Sequence, residues 1–215
     1  MKLPLFPLNT VLFPGMMLPL HIFEPRYREM IGLCIEQRQP FGVVLIQSGS
    51  EVGTPASPHS IGTYGRISDV QRLPDGRLNI EMVGQERFRI LQLHNDKAYL
   101  QGTIQPYPLN DVDHDNAKTL AGKLRPLVRR YLQLLSDSSE VDLKTQQLPA
   151  DPGSLAYLAA IVAQIPMEEK QTLLTCPSAL DLLGQEHTLF RREVSLIRAM
   201  LNNPLRHTSP DFCPN

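Results

Sequence analysis

The chain of 215 residues has no tryptophan and only three cysteines, Cys34, Cys176 and Cys213, far apart and without a CxxC pair. An odd, dispersed set makes a poor disulfide framework and fits a reducing cytoplasm. No run approaches the ~20 apolar residues of a membrane-crossing helix. The longest candidate, Leu155 to Ile165, reads as a buried helix. The apolar start from Met1 to Leu20 is not read as a signal peptide, because Pro4, Pro7, Pro14 and Pro19 interrupt the continuous helix that export requires. Charge of one sign is also lacking, with 21 basic against 22 acidic side chains and a net charge of −1. This argues against a general polyanion binder, since nonspecific nucleic-acid affinity rests on surplus lysine and arginine, while leaving room for a local patch.

Catalytic signatures are missing as well. A phosphate-cradling loop needs glycines ahead of Lys and Ser or Thr, and neither Lys118-Thr119 nor Lys144-Thr145 follows such a pattern. There is no HExxH and no GxSxG, and the six histidines, at 21, 59, 94, 114, 187 and 207, have no metal-ligand spacing. Asp111, Asp113 and Asp115 imitate the opening of a calcium loop, but Asn116 stands where the turn glycine belongs and Gly122 where the bidentate glutamate belongs. A solvated acidic connector accounts for them. A Ser-Lys dyad needs only to meet in space, yet none of the six lysines sits in an apolar setting that would lower its pKa. The expectation is a chain without enzymatic activity, catalytic residue, metal or cofactor.

What is present changes character near Pro106-Tyr107-Pro108. Before it, short apolar runs alternate with period two. Leu78, Ile80 and Met82 face one way and Arg77, Asn79 and Glu81 the other, and Phe88 and Ile90 resume the pattern after Glu86 and Arg87. The turn Leu73-Pro74-Asp75-Gly76-Arg77 joins two such strands. With Phe41–Ile46, 62–70 and 99–105, at least five strands are predicted, enough for a closed or nearly closed barrel. One helix is inserted, opening at Pro25 and carrying Tyr27, Met30, Ile31 and Cys34 on one stripe, so Cys34 reads as a core thiol.

After Pro108 the period becomes helical. Leu120, Leu124, Leu127, Val128, Tyr131 and Leu135 share a face of the first helix, with Pro126 either kinking it or starting a new segment. Residues 136–153 read as a mobile loop. A helix capped by Ser154 follows, then a short one over Met167–Thr175. The longest helix opens at Ser178 with Asp181 in the capping-box position and carries Leu183, Phe190, Val194, Ile197 and Leu201 as its seam. The expected organisation is a barrel over 1–108, a helical bundle over 109–203 and a disordered tail over 204–215. Two basic groups, Lys118, Lys123, Arg125, Arg129 and Arg130 on the first helix and Arg66, Arg72, Arg77, Arg87 and Arg89 on the strands, read as solvated faces balanced by nearby acids.

The opening Leu3-Pro4-Leu5-Phe6-Pro7-Leu8-Asn9-Thr10-Val11-Leu12-Phe13-Pro14-Gly15 and the segment from Leu18 to Arg28 resemble the N-terminal domain of Lon proteases. So do Ile61-Gly62-Thr63, the turn from Leu73 to Leu78, Gly84 with Arg87-Phe88-Arg89-Ile90, and the segment from Ile165 to Leu174. The likeness runs from about Lys2 to Leu201, and it is greatest to the small stand-alone members of that family. It implies an α+β fold: a PUA-like pseudo-β-barrel with one inserted helix, followed by a C-terminal helical bundle ending in a long helix. In Lon proteases this region contributes to substrate recognition and assembly, while the ATPase and the Ser-Lys peptidase lie downstream and outside this chain. The implied function is non-catalytic binding of peptide segments, unfolded substrates or a protein partner in protein quality control, without ATP or membrane. The alternative is an RNA-binding PUA-like module, suggested by Arg87 and Arg89 flanking Phe88. Candidate contact residues are Phe23, Glu24, Arg26 and Tyr27 of the inserted helix's entry, with Arg87 and Phe88. Glu24 and Pro25 also have a structural explanation as a helix start. The loop from Gln47 to Ser60, rich in Ser, Gly and Pro, is a second candidate surface. No feature of the chain sets an oligomeric state.

Overall fold

The computed structural model describes residues 1–49, 57–138 and 148–202. The centres of the two predicted loops and the C-terminal tail with Cys213 therefore lie outside the described residues. In chain order come β1 (Lys2–Leu8), β2 (Met17–Ile22), α1 (Pro25–Glu36), β3 (Phe41–Ser48), β4 (Ser57–Pro58), β5 (Ile61–Arg72), β6 (Leu78–His94) and β7 (Gln101–Pro106). Helices α2 (Asp115–Ser138), α3 (Pro152–Val162), α4 (Met167–Thr175) and α5 (Ala179–Asn202) follow.

The sheet runs β1-β7-β6-β5-β3, and a parallel pairing of β1 with β3 closes it into a ring. Strand β1 was not foreseen, because Pro4 and Pro7 argue against a central strand. It tolerates them by changing partner midway: residues Lys2 to Pro4 pair with β7, and Leu5 to Leu8 pair with β3. From Leu3 onward every residue is buried, so no alternation marks the strand. The two stretches read as separate strands around Met82 and Phe88 form one long strand, β6. Its first half lies between β5 and β2 and its second between β5 and β7.

Local chemistry sets the remaining corners. In the β5–β6 turn Gly76 adopts φ of 79°, and the Arg77 amide donates to the Asp75 carboxylate at 3.0 Å. Gly84 allows the chain to pass the Phe13 carbonyl, which an added Cβ would meet at 2.3 Å. Helix α1 buries the stripe Tyr27, Met30, Ile31 and Cys34 against the barrel, as its spacing predicts. Pro126 lies inside a continuous α2. The cap of α3 is Asp151 rather than Ser154: its carboxylate accepts the Ser154 amide at 2.7 Å, and Pro152 occupies the first turn. At the start of α5, Ser178 Oγ accepts the Asp181 amide at 3.1 Å and donates to the Asp181 carboxylate at 2.6 Å.

The bundle core takes in barrel residues as well. Val11 and Phe13 from the β1–β2 connection, Leu45 and Ile61 pack with Leu124, Leu155, Leu183 and Phe190. At this junction Arg87 departs from the expected solvated face. It is 2% exposed, and its Nη1 donates to the Leu174 and Cys176 carbonyls, each at 2.7 Å. Tyr107 Oη donates to the Thr175 carbonyl between them at 2.9 Å, and the Gln171 amide nitrogen reaches back to the Ile61 carbonyl at 2.9 Å. Burial pulls the Arg87 guanidinium below its ordinary pKa, opposed by the Tyr157 and Tyr107 rings beside it.

Helix α5 places a second ionisable group inside. Glu186 is fully buried, and neither carboxylate oxygen has a hydrogen-bond partner among the described residues. Burial raises its pKa well above the ordinary glutamate value. Folding therefore favours the protonated form. That stability is fully present below the unfolded pKa of about 4.3 and is lost as pH rises from there toward the folded pKa.

Two outcomes are expected from urea unfolding. Replacing Arg87 by Met removes two charge-assisted bonds and strands two carbonyls, lowering stability by about 3 kcal/mol at neutral pH. Substituting Gln for Glu186 raises the urea midpoint at pH 7.5 and flattens its decline as the pH rises above about 4.5. A midpoint whose pH profile is unchanged would assign that decline to other groups.

Candidate functional site

The six candidate contact residues separate sharply. Phe23 is 50% exposed, and its ring stacks beside His21 at 6.1 Å. Glu24 and Arg26 are partly buried and pair with each other at 2.9 Å, and the Arg26 guanidinium lies 4.6 Å from the Tyr27 ring centre. Tyr27 itself points inward and stacks on Phe6 at 4.0 Å. Phe88 is wholly buried with Leu3, Leu5, Val44 and Ile104 inside the barrel, while Arg87 is committed to the α4 carbonyls. Tyr27, Phe88 and Arg87 thus have almost no surface to offer a partner. The RNA reading drew on Arg87 and Arg89 flanking Phe88; of these, Arg87 and Phe88 are buried. Arg89 is exposed and lies over the Tyr107 ring at 4.7 Å.

Phe23 has companions that the motif did not reveal. Strand β2 pairs with β6 alone among the described residues. Leu18 and Ile22 turn inward, and Met17, Pro19 and His21 turn outward in the same row as Phe23. Met17 is 58% exposed. The row is a period-two signal in its own right, hidden by the prolines around it. Beside it, His21 Nδ1 meets Asn79 Oδ1 at 2.7 Å, and the Asn79 amide donates to Gln71 at 2.9 Å, so a polar ladder crosses β2, β6 and β5. A cavity of about 350 Å³ is lined by Pro19 and His21 of the row, Asn79 and Gln71 of the ladder, and Asp69 and Glu81.

A larger groove of about 600 Å³ lies between α4 and α5. Its floor includes Leu173 and Leu189, both buried. Its charged rim is already satisfied: Arg192 pairs with Glu169 at 3.0 Å and with Glu193 at 2.9 Å, and Asp181 is held by Ser178. Met17 and Phe23 of the β2 row are among the exposed large apolar side chains, whereas no residue lining this groove is. No group of His, Cys, Asp and Glu suited to hold a metal occurs among the described residues. Cys34 and Cys176 are free, buried thiols pushed up to about 11 by desolvation, a setting that suppresses the reactive thiolate. No helix among the described residues is long and apolar enough to cross a membrane.

Comparison with known proteins now has a geometry to refer to. Residues 2–191 match the family described as the ATP-dependent protease La (LON) substrate-binding domain. A Lon protease of Anaeromyxobacter dehalogenans is 29% identical over 175 residues, which are 80% of this chain and 21% of that protein. Lon protease 1 of Hydrogenovibrio crunogenus is 27% identical over 192 residues, covering 89% of this chain and 24% of that one. The chain thus spans less than a quarter of the length of these curated relatives. Among solved structures, a Lon N-terminal domain protein from Xanthomonas campestris superimposes with a TM-score of 0.60 at 25% identity, covering 86% of this chain and 96% of that one. The N-terminal domain of a Mycobacterium avium complex Lon protease gives a TM-score of 0.68 over 91% of this chain and 98% of that one; at 18% identity it speaks to the fold alone. The family match over nearly the whole barrel and bundle, on a fold shared with both solved domains, means that this chain belongs to the Lon substrate-binding domain family.

Proposed function

We propose that this chain is a non-catalytic recognition module that binds extended apolar segments of unfolded polypeptide, in cytoplasmic protein quality control, on the outer face of β2. The observation that carries this reading is the exposed row Met17, Pro19, His21 and Phe23 along a strand whose far edge is unpaired among the described residues. An exposed apolar row on a rigid sheet is the kind of surface that marks an interaction site. Membership of a substrate-binding domain family supports binding of a polypeptide substrate. The absence of phosphate-loop and nucleophile motifs from the sequence supports recognition without turnover.

Side-chain contact dominates over strand addition in this reading. Proline is tolerated in a sheet where its missing N–H would face away from the neighbouring strand. Pro19 therefore takes a donor off the free edge of β2, which discourages a segment from pairing there as a new strand. A bound segment lies instead across Met17 and Phe23, with its backbone within reach of the His21–Asn79–Gln71 ladder.

Fluorescence anisotropy with a reduced, alkylated and permanently unfolded model protein tests the assignment. Burying a Met or Phe side chain contributes about 1.5–3 kcal/mol, so the double variant Met17→Ser, Phe23→Ser is expected to bind at least about tenfold more weakly. Its thermal midpoint should hardly change, because both side chains are already exposed. Equal binding by variant and parent would remove the β2 face from the reading.

A further inference from the structure

Helix α1 ends in a left-handed turn that folds two hydrogen bonds back onto the helix. The Gln39 amide donates to the Cys34 carbonyl at 3.1 Å, and the Arg38 amide donates to the Ile35 carbonyl at 3.3 Å, the paired closure seen at many helix ends. The residue at the turn has φ of 51°, where glycine or asparagine is favoured because a larger side chain crowds its own backbone. Here it is Arg38. No ion pair repays the strain: Arg38 makes no side-chain hydrogen bond or salt bridge among the described residues.

A second unpaired guanidinium shares its surroundings. Arg66 of β5 likewise has no hydrogen-bonded or ionic partner among the described residues, and both arginines line one cavity of about 330 Å³. Its other walls are Cys34, Ile35, Ile67 and Val70, with the Gln39 side chain, whose amide rests 3.8 Å from the Cys34 sulfur. The acids nearest in sequence do not neutralise the pair. Glu36 makes no ion pair with either arginine, and Asp69 lines the separate cavity beside His21. Two exposed arginines without an ion pair among the described residues, at an apolar-walled hollow, complement an anion that carries an apolar body. The volume sits at the low end of ligand sites, roughly 300–1,000 Å³, and admits a group the size of one amino acid rather than a nucleotide.

We propose that this cavity binds a carboxylate attached to a small apolar group, the carboxylate held by Arg38 and Arg66 and the apolar group against Ile35, Ile67 and Val70. A free small acid and the C-terminal residue of a polypeptide share this chemistry. The guanidinium fork matches a planar carboxylate, while the apolar wall gives no purchase to bare inorganic phosphate. This site is separate from the β2 row and does not depend on it.

Titration calorimetry and amide NMR on the full chain provide the test, with N-acetyl-leucine, N-acetyl-leucinamide, inorganic phosphate, and one peptide ending in leucine as free acid or amide. The free acid is expected to saturate the chain and to bind at least about tenfold more tightly than the amide or phosphate. Preference for the free-acid peptide over its amide would identify chain ends as ligands, and binding of N-acetyl-leucine alone would identify small acids. Arg38→Gly places the residue that the turn favours, so it should keep or raise the thermal midpoint while weakening binding at least about tenfold. Arg66→Gln should weaken binding similarly, and Met17→Ser, Phe23→Ser should leave it unchanged. Absence of saturable binding, equal binding of acid and amide, tightest binding by phosphate, or an undiminished Arg38→Gly variant would each overturn the proposal.

Discussion

A helix that ends inside a protein leaves its last carbonyls without partners, and the way α4 solves this organises the molecule. Its last turn has no basic residue of its own. The donors come from the barrel: Arg87 reaches the Leu174 and Cys176 carbonyls, and Tyr107 takes that of Thr175. A cation at a helix C-terminus is also favoured by the helix dipole, so one arginine serves both needs. The same device recurs within the bundle, where Lys170 donates to the Ile161 carbonyl at 2.9 Å near the end of α3. Because Arg87 belongs to β6 and its acceptors to α4, the barrel and the bundle are held in one relative orientation by bonds that water cannot easily replace.

That junction determines which barrel surfaces stay free. The β1–β2 connection sends Val11 and Phe13 into the bundle core, and Gly84 lets it pass close to β6. The chain emerges as β2 on the side of β6 that faces neither β5 nor the bundle. Its outward residues remain uncovered while its inward residues, Leu18 and Ile22, complete the core shared with α1. The entry motif from Phe23 to Tyr27 then turns the chain into α1: Glu24 and Arg26 pair with each other, and Tyr27 anchors the helix on Phe6. The motif is mainly a corner, and only its first aromatic is presented to solvent.

Several of these features are written locally. The α1 stripe, the 73–77 turn and the capping pair Ser178–Asp181 depend on residues within a turn or two of one another, so periodicity and side-chain chemistry disclose them. Strand β1 escapes because both its faces are buried and its prolines are accommodated by a mid-strand change of partner, a fact about β3 and β7 rather than about β1. Asp151 takes the cap expected of Ser154 because Pro152 suits the helix's first turn. Arg87 escapes for a similar reason: alternation puts it opposite Phe88, and that face would be wet if no helix end packed there. On the binding side, Phe23 was legible as a candidate, whereas the period-two row that Met17 and His21 share with it was obscured by the surrounding prolines.

By itself, the sequence determined the change from a strand-rich to a helical half near Pro106, the inserted helix, the family and the lack of recognised catalytic motifs, since each rests on composition, short spacing or a contiguous likeness. Only the tertiary structure decided which charged and aromatic residues meet solvent. Burial of a side chain depends on what packs against it from distant parts of the chain. Arg87 and Arg66 both lie on barrel strands, yet one is sealed against the end of α4 and the other lines an open cavity with Arg38.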